Sequence, residues 1–185
     1  MRLDMKRCAW CNLNNPLYVK YHDEEWGRLC LDDHHLFEML ILESFQAGLS
    51  WECVLNKREG FRKAFDGFDA EAVAQYGQEK LDSLTTDKSI IRNRKKIQAA
   101  TNNAKVFLRL KEEYSSFAGY LGQFWNGEVI YDPVSTTSPL AHMISDDLRR
   151  RGMSFMGPTV VHSFLQAVGI VYAHEEGCFM YKAKN

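Results

Sequence analysis

Apolar residues recur at helical spacing along most of the chain, and this pattern predicts an all-α fold with about eight helices. The strongest prediction is a helix over residues 34–45, immediately after Asp33. Its apolar residues cover nearly the full helical circumference, so we expect it to be buried and to end near Gly48. A long helix is expected over residues 92–114, which contain helically spaced apolar residues and neither glycine nor proline.

Capping residues mark further helices. Ser50, Asp69 and Ser138 are suitable N-caps, and a proline follows Ser138 in the first turn, where its missing N–H costs no hydrogen bond. The helices predicted from such signals cover residues 50–65, 69–76, 79–84, 138–151 and 159–170. A convincing period of two occurs at residues 128–131, where we expect a short extended segment at most.

The chain has 185 residues without an internal repeat or linker, so one domain spanning residues 1–185 is expected. Its content of 45 % hydrophobic and 25 % charged residues excludes disordered, collagen-like and coiled-coil classes. No stretch approaches the roughly 18 apolar residues that cross a bilayer, and residues 1–7 lack the apolar core of a secretory signal. We therefore expect a cytoplasmic protein that does not bind membranes. The net charge of −1 argues against permanent coating of nucleic acid but permits a local basic patch.

Five cysteines, an odd number, are more typical here of reduced thiols or metal ligands than of disulfides. Two thiols and two imidazoles near the chain ends form a candidate zinc set: Cys8, His22, His174 and Cys178. Four protein ligands would leave no position for water, so such a zinc ion would be structural and would tie the two ends together. The spacing leaves three other interpretations open: Cys8 as a free thiol, Cys11 as a ligand in place of His22, and the Cys8–Cys11 pair as a redox-active pair.

Glu43 lies on the apolar face of the 34–45 helix and in its last turn, where the helix dipole disfavours negative charge. The carboxylate is therefore either solvated beyond the helix end or directed into a cavity that needs an acceptor. Glu38 lies on a different face and is expected at the surface. Cys30 and Cys53 have apolar neighbours and are expected to fill the core.

Aromatic residues are concentrated in the sequence around these positions. They are Trp10, Tyr18, Tyr21, Trp26, Phe45 and Trp51. A well-packed core accounts for Trp26 and Phe45, but tyrosine and tryptophan can also stack on a planar ligand and hydrogen-bond its edge. Together with Glu43, these side chains could form a pocket for a planar, electron-poor base.

A basic turn precedes the long helix, since residues 88–96 contain five basic residues and two adjacent isoleucines. Free backbone N–H groups at a helix N-terminus, with lysine and arginine nearby, form an anion site that suits a DNA phosphate. A solvated basic face is the alternative interpretation.

Several short segments follow one another in a specific order and spacing through nearly the whole chain. They are Cys8-Ala9-Trp10, Asn15-Pro16-Leu17-Tyr18, Tyr21-His22-Asp23-Glu24-Glu25-Trp26-Gly27, Leu36-Phe37-Glu38-Met39, Leu42-Glu43, Gln46-Ala47-Gly48-Leu49-Ser50-Trp51, Phe164-Leu165-Gln166-Ala167-Val168-Gly169 and the terminal His174 and Cys178 pair. In this order and spacing, the segments resemble the 3-methyladenine DNA glycosylase I family.

The resemblance implies a helix-hairpin-helix DNA glycosylase fold in which a structural zinc ion joins the N- and C-terminal segments. The implied zinc ligands are Cys8, His22, His174 and Cys178, which favours His22 over Cys11. The implied base pocket contains Glu43 as the catalytic residue and Trp10, Tyr18, Tyr21, Trp51 and Ser163 as substrate-binding residues. The expected activity is extrusion of N3-methyladenine from alkylated double-stranded DNA and hydrolysis of its N-glycosidic bond by a monomer, without strand cleavage.

For DNA, the resemblance implies that Leu49 fills the gap left by the extruded nucleotide and that residues 90–96 form the hairpin. The expected DNA-binding residues are Leu49, Ile90, Arg92, Arg94 and Lys95. Ser89 stands where a glycine is expected before the isoleucines, a departure that bears on the geometry of the turn. Two rival functions are a non-enzymatic binding module stapled by zinc, and a zinc hydrolase with three protein ligands and an open metal position.

Overall fold

The structure is a computed structural model that describes residues 5–182, and it is mostly helical. Within this range it contains ten α-helices, one 3₁₀ turn over Asp66–Phe68 and two short strands. The helices are α1 (Pro16–Glu24), α2 (Asp33–Gln46), α3 (Trp51–Leu55), α4 (Arg58–Ala64), α5 (Ala70–Ala74), α6 (Gln78–Thr86), α7 (Arg94–Tyr114), α8 (Phe117–Leu121), α9 (Pro139–Arg150) and α10 (Pro158–Ala167), and the strands are β1 (Ile130–Tyr131) and β2 (Val171–Tyr172).

α2 runs through the centre of the molecule, as its apolar circumference predicts. All ten residues from Leu36 to Phe45 are buried, and α7 and α10 both pack against the helix. The N-cap is Asp32, whose side chain accepts a hydrogen bond from the His35 N–H. Asp33 lies inside the helix, where its carboxylate accepts from the Phe117 N–H at the start of α8.

The helices predicted over residues 50–65 and 159–170 differ from the structure in ways that affect the fold. The segment from Ser50 to Phe65 is interrupted after Leu55, giving α3 and α4 in place of one helix. α10 ends at Ala167 and not near residue 170, because Gly169 adopts φ +79° and a Cβ there would lie 2.3 Å from the backbone of Arg28. The chain then continues into β2, which pairs in parallel with β1, so the extended segment expected near residue 130 has a partner that the sequence did not indicate.

Glu38 is buried, so the prediction that it lies on the surface is wrong. Its carboxylate accepts hydrogen bonds from Arg58 Nε at 2.9 Å and from Arg62 Nε at 2.8 Å, both on α4. Burial alone would raise the pKa of Glu38, but the two guanidinium groups outweigh it and lower that pKa. The prediction for Cys30 and Cys53 is also wrong, since Cys30 is half-buried and Cys53 is exposed.

Within the described part of the chain, no helix is both long enough and apolar enough to cross a membrane.

Candidate active site and metal centre

Glu43 is buried against a cavity and is not solvated beyond the end of its helix. The residue is 3 % exposed and lies in the last turn of α2, which ends at Gln46. The cavity that it lines has a volume of about 210 Å³. Of the two placements that the sequence left open for this carboxylate, the structure selects the one inside a cavity.

The cavity is formed by α1, α2, α3 and α10 together with the loops on either side of α1. Its lining residues are Trp10, Tyr18, Tyr21, Trp26, Glu43, Gln46, Trp51, Ser163 and Gln166. All six pocket residues expected from the sequence are in this set, although they come from regions as far apart as residues 10 and 163. Trp26, which was expected to be a core residue, is buried and also lines the cavity.

The aromatic rings of the cavity support one another in two groups. The Trp10 ring centroid lies 4.6 Å from that of Trp26, in an edge-to-face arrangement, and 5.4 Å from that of Tyr18. The centroids of Tyr21 and Trp51 are 5.2 Å apart. Such ring contacts restrict side-chain rotation, so these aromatic surfaces are already in place before a ligand binds.

Two polar atoms of the cavity lack a hydrogen-bond partner among the described residues. They are Glu43 Oε2 and Trp51 Nε1, and both are buried. Burial raises the pKa of Glu43 to about 8, and it raises that of the Tyr21 phenol well above its usual value. Buried polar groups are normally paired, so an acceptor and a donor left unpaired in one apolar cavity are suited to a ligand that carries the complementary groups.

Gln46 and Gln166 also line the cavity, and the sequence analysis did not identify either as a pocket residue. Each lies one helical turn after a residue that it did identify, Gln46 after Glu43 on α2 and Gln166 after Ser163 on α10. This spacing of three residues places both members of a pair on one helix face, and it is the signal that could have found them. The Gln166 amide nitrogen is held 3.3 Å from Nε2 of the buried His162.

The four candidate metal ligands converge at one buried point. Cys8, His22, His174 and Cys178 each present one ligand atom, and these atoms all lie within 4.8 Å of one another. Cys8 Sγ is 3.5 Å from His174 Nδ1, and Cys178 Sγ is 3.4 Å from His22 Nε2. Tetrahedral zinc, with bonds of about 2.3 Å to sulfur and about 2.0 to 2.1 Å to nitrogen, places S and N ligands about 3.6 Å apart, so the donor set fits this ion.

The surroundings of the four ligands also suit a bound dication. His22 Nδ1 lies 2.8 Å from Asp23 Oδ1, and His174 Nε2 lies 3.3 Å from the Trp26 carbonyl oxygen, so that the other ring nitrogen of each histidine faces the centre. Burial raises the pKa of the Cys8 thiol to about 12 and lowers that of His174 to about 4. These sites therefore disfavour a free thiolate and a free imidazolium, whereas a metal ion would stabilise a thiolate and a neutral imidazole. Cys11 is buried and free, outside this cluster.

The basic turn joins α6 to α7 and packs closely against α4. A Cβ on Gly60 would lie 2.4 Å from the Ser89 carbonyl oxygen, so this close approach requires glycine in α4. Ser89 itself adopts no positive φ, and its N–H and Oγ–H both donate to the Asp87 carboxylate. The replacement of the expected glycine by serine therefore introduces no left-handed strain into the turn.

The residues expected to contact DNA differ in their availability. Arg92 and Lys95 are exposed, whereas Arg94 is exposed but forms an ion pair of 2.6 Å with Asp82 on α6. Ile90 is buried in the core, so its side chain anchors the turn from within. Leu49 is 43 % exposed and lies between two cavity-lining residues, Gln46 and Trp51.

Comparisons with known proteins agree over nearly the full chain. Residues 10–181 match the family model described as methyladenine glycosylase. DNA-3-methyladenine glycosylase 1 of Escherichia coli (strain K12) is 39 % identical over 183 residues, which is 96 % of this chain and 97 % of that protein. A crystal structure of 3-methyladenine DNA glycosylase I has a TM-score of 0.91 at 39 % identity and covers 96 % of this chain and 100 % of its own.

A second solved structure, of 3-methyladenine DNA glycosylase I from Staphylococcus aureus, concerns the recognition of 3-methyladenine. It has a TM-score of 0.91 at 36 % identity and covers 98 % of this chain and 99 % of its own. The family match, the identity and the shared fold all extend well beyond the cavity residues. The chain therefore belongs to the methyladenine glycosylase family.

Proposed function

We propose that this protein is a DNA-3-methyladenine glycosylase that removes N3-methyladenine from alkylated DNA by hydrolysis of its N-glycosidic bond, as the first step of base excision repair. The observation that carries the proposal is the buried, unpaired carboxylate of Glu43 in a cavity walled by tryptophan and tyrosine. The E. coli relative is named for this activity, and the S. aureus structure describes recognition of this base.

The chemistry of the lesion explains why such a pocket is sufficient. Methylation at N3 gives the base a positive charge, so the base is an activated leaving group that departs neutral and needs little acid catalysis. The protein must mainly extrude the nucleotide, which costs a few kcal/mol of unstacking, and prefer the methylated base over normal adenine. An acceptor carboxylate and aromatic faces both favour a cation over a neutral base.

We assign roles to the lining residues on this basis. Glu43 accepts a hydrogen bond from the exocyclic amino group of the extruded base and balances its charge. Trp10 and Trp51 provide the stacking surfaces, at about 1–3 kcal/mol for each base–aromatic contact. Tyr21 hydrogen-bonds the polar edge of the base, while Tyr18 and Ser163 complete the wall.

Water is the nucleophile in this proposal. Glu43 is the one carboxylate among the described lining residues, and it is committed to the base. Asp147, a buried carboxylate on α9, accepts hydrogen bonds from Tyr120 and Arg151 and is not among the cavity-lining residues. We assign no lysine as a Schiff-base nucleophile, and we therefore expect base release without strand cleavage.

The test is to incubate the purified protein with DNA alkylated by a methylating agent and to separate the released bases by chromatography. We expect 3-methyladenine in the supernatant and no broken strands. A protein that releases no base would refute the assignment and favour a non-enzymatic binding module. A second measurement is the quenching of tryptophan fluorescence by free 3-methyladenine. An open base pocket predicts quenching, whereas a binding module whose aromatic residues only fill the core predicts none.

We further propose that the protein docks on DNA as a helix-hairpin-helix glycosylase. Arg92 and Lys95, exposed beside the N-terminus of α7, bind phosphates, and the buried Ile90 supports the turn that presents them. Arg94 contributes less, because it is paired with Asp82. Leu49 enters the gap left by the extruded nucleotide.

Arg92→Ala and Lys95→Ala are expected to weaken binding to a duplex and to flatten its salt dependence. Each lost phosphate contact should reduce the slope of log K against log salt by about 1. The measurement is a titration of fluorescent duplex at several salt concentrations, with Lys105→Ala as the control, because Lys105 is exposed farther along the same helix. A slope that does not change in the Arg92 and Lys95 variants would contradict a hairpin contact.

For the metal centre we propose one structural zinc ion per chain, held by Cys8, His22, His174 and Cys178. Bound there, zinc supplies a cross-link between the N- and C-terminal segments. Four ligand atoms within reach of one ion argue against the rival zinc hydrolase, which requires an open position for water. A monomeric state and a cytoplasmic location stay predictions from the sequence.

A further inference from the structure

Lys96 is a buried lysine in the first turn of α7, and its ammonium group binds the end of another helix. The residue is 5 % exposed, although lysine is among the residue types least often buried. Its Nζ donates to the carbonyl oxygens of Phe45, at 2.8 Å, and Ala47, at 2.6 Å. These are carbonyl groups at the C-terminal end of α2, which has no basic residue of its own in its last turn.

The two elements joined by Lys96 carry different parts of the proposed DNA machinery. The last turn of α2 presents Glu43 and Gln46 to the cavity. The chain then turns at Gly48, where φ is +81°, and places Leu49 at the surface. On the other side, Lys96 directly follows the exposed basic residues of the turn between α6 and α7. One ammonium group thus connects the base cavity and the Leu49 turn to the proposed phosphate contacts.

A strained loop covers this ammonium group. Phe155 adopts φ +57°, an unusual value for a bulky residue, and its ring centroid lies 5.6 Å from Lys96 Nζ. Asn103, which is fully buried, exchanges two hydrogen bonds with the backbone of Ser154, at 2.9 and 3.0 Å. Ser145 Oγ donates to the Met156 carbonyl oxygen at 2.6 Å. Strained backbone persists where its surroundings hold it, and here it is anchored on both sides of the phenylalanine.

We propose that Lys96 is a positioning residue. It fixes the position of the turn that carries Leu49 relative to the basic turn between α6 and α7, so that binding of phosphates and filling of the nucleotide gap occur together. This inference rests on the proposed function. The charge favours the negative end of the α2 dipole, and two charge-assisted hydrogen bonds in a water-poor site hold the geometry. Lys96 acts through the backbone of α2 and touches neither the base nor the DNA.

The test compares Lys96→Met, which removes the ammonium but keeps the length of the side chain, with Lys105→Met, the same change at an exposed position of α7. Two quantities are measured, the affinity for free 3-methyladenine and the single-turnover release of the base from alkylated duplex. For Lys96→Met we expect release to fall at least about tenfold, because small misplacements cost this much or more, while the affinity for the free base changes less than about threefold. Lys105→Met should match the wild type in both.

Lys96→Arg keeps the charge and should recover most of the lost release. A general loss of packing would lower both quantities together, and that result, or unchanged release, would overturn the inference. Should Lys96→Met fail to fold, Lys96→Gln, which can donate to one of the two carbonyl groups, is taken through the same comparison with the same criteria.

The coupling to Leu49 is tested by a double-mutant cycle. If Lys96 acts by placing Leu49, then the release by Leu49→Ala and by the double variant should be nearly equal, since there is nothing left to place. Losses that multiply would overturn the inference while leaving the glycosylase activity of the wild type intact. A wild type that releases no base would instead overturn the proposed function, and this inference with it.

Discussion

Glu43→Gln is expected to reduce the release of 3-methyladenine from alkylated DNA by about a hundredfold or more. The change keeps the shape of the side chain but removes the charge that balances a cationic base in a water-poor cavity, and losing one such preorganised group typically costs this much. The measurement is single-turnover release from alkylated duplex. The control is Glu112→Gln, the same change at an exposed position of α7. Wild-type rates in the Glu43 variant would contradict the role of this carboxylate.

The pH dependence gives an independent check on the same residue. Burial raises the pKa of Glu43 to about 8, so at neutral pH the carboxyl group of the free protein is mostly protonated and must lose its proton to balance a cationic base. We therefore expect kcat/KM for alkylated DNA to rise with pH through about 8, where half of the Glu43 carboxyl groups are ionised, and to level off only above that pH. Burial also raises the pKa of Tyr18, to about 12, so that phenol does not titrate in this range. In Glu43→Gln the rise should disappear.

The stability of the free protein should respond in the opposite direction. The pKa of Glu43 is raised from 4.5 to about 8 in the folded state. Its contribution to the free energy of unfolding is therefore fully present below about pH 4.5 and is lost as the pH rises through 8. Relative to wild type, Glu43→Gln should therefore gain on the order of 3 kcal/mol in its free energy of unfolding between pH 5.5 and 8.5. Equal stability of the two proteins at both pH values would place the carboxylate in water.

The sequence indicates the unusual position of Glu43 but not the elements that enclose its side chain. Glu43 is a carboxylate on an apolar helix face and in the last turn of a helix, where negative charge is disfavoured. The sequence of that one helix is enough to identify this conflict. Whether the side chain was solvated or enclosed depended on α1, α3 and α10, which cover that face and come from distant parts of the chain. Local pattern cannot supply such packing.

Packing by elements distant in sequence also explains the wrong prediction for Glu38, a charged residue that is buried. Its partners Arg58 and Arg62 lie 20 and 24 residues later, on α4, the helix that approaches the backbone of Ser89 closely at Gly60. A different cause applies to α1, which the sequence analysis missed although Asn15 followed by Pro16 is the same kind of start signal as at Ser138. The N-cap signal at Asn15 and Pro16 was therefore sufficient to predict α1.

Cys178→Ala is expected to remove the metal and to lower the melting temperature by about 10 °C or more. Zinc bound by four protein ligands contributes its binding free energy to folding, and for a protein of this size 1 kcal/mol corresponds to about 2–4 °C. The control is Cys53→Ala, which removes an exposed thiol outside the cluster. Metal analysis should find one zinc ion per chain in the wild type and in the control, and close to none in the Cys178 variant.

In Cys178→Ala the affinity of the base pocket for its ligand should change less than the stability of the protein, although the pocket and the metal centre are in contact. The Trp10 ring centroid lies 5.3 Å from that of His22, and the Trp26 centroid lies 4.7 Å from that of His174, so the histidines back the tryptophans without entering the cavity. Well below its melting temperature, Cys178→Ala should therefore still bind free 3-methyladenine, with a modest loss of affinity. Equal melting temperatures of the wild type with zinc and after chelation would remove the structural role, since a metal that holds both chain ends cannot leave without a loss of stability.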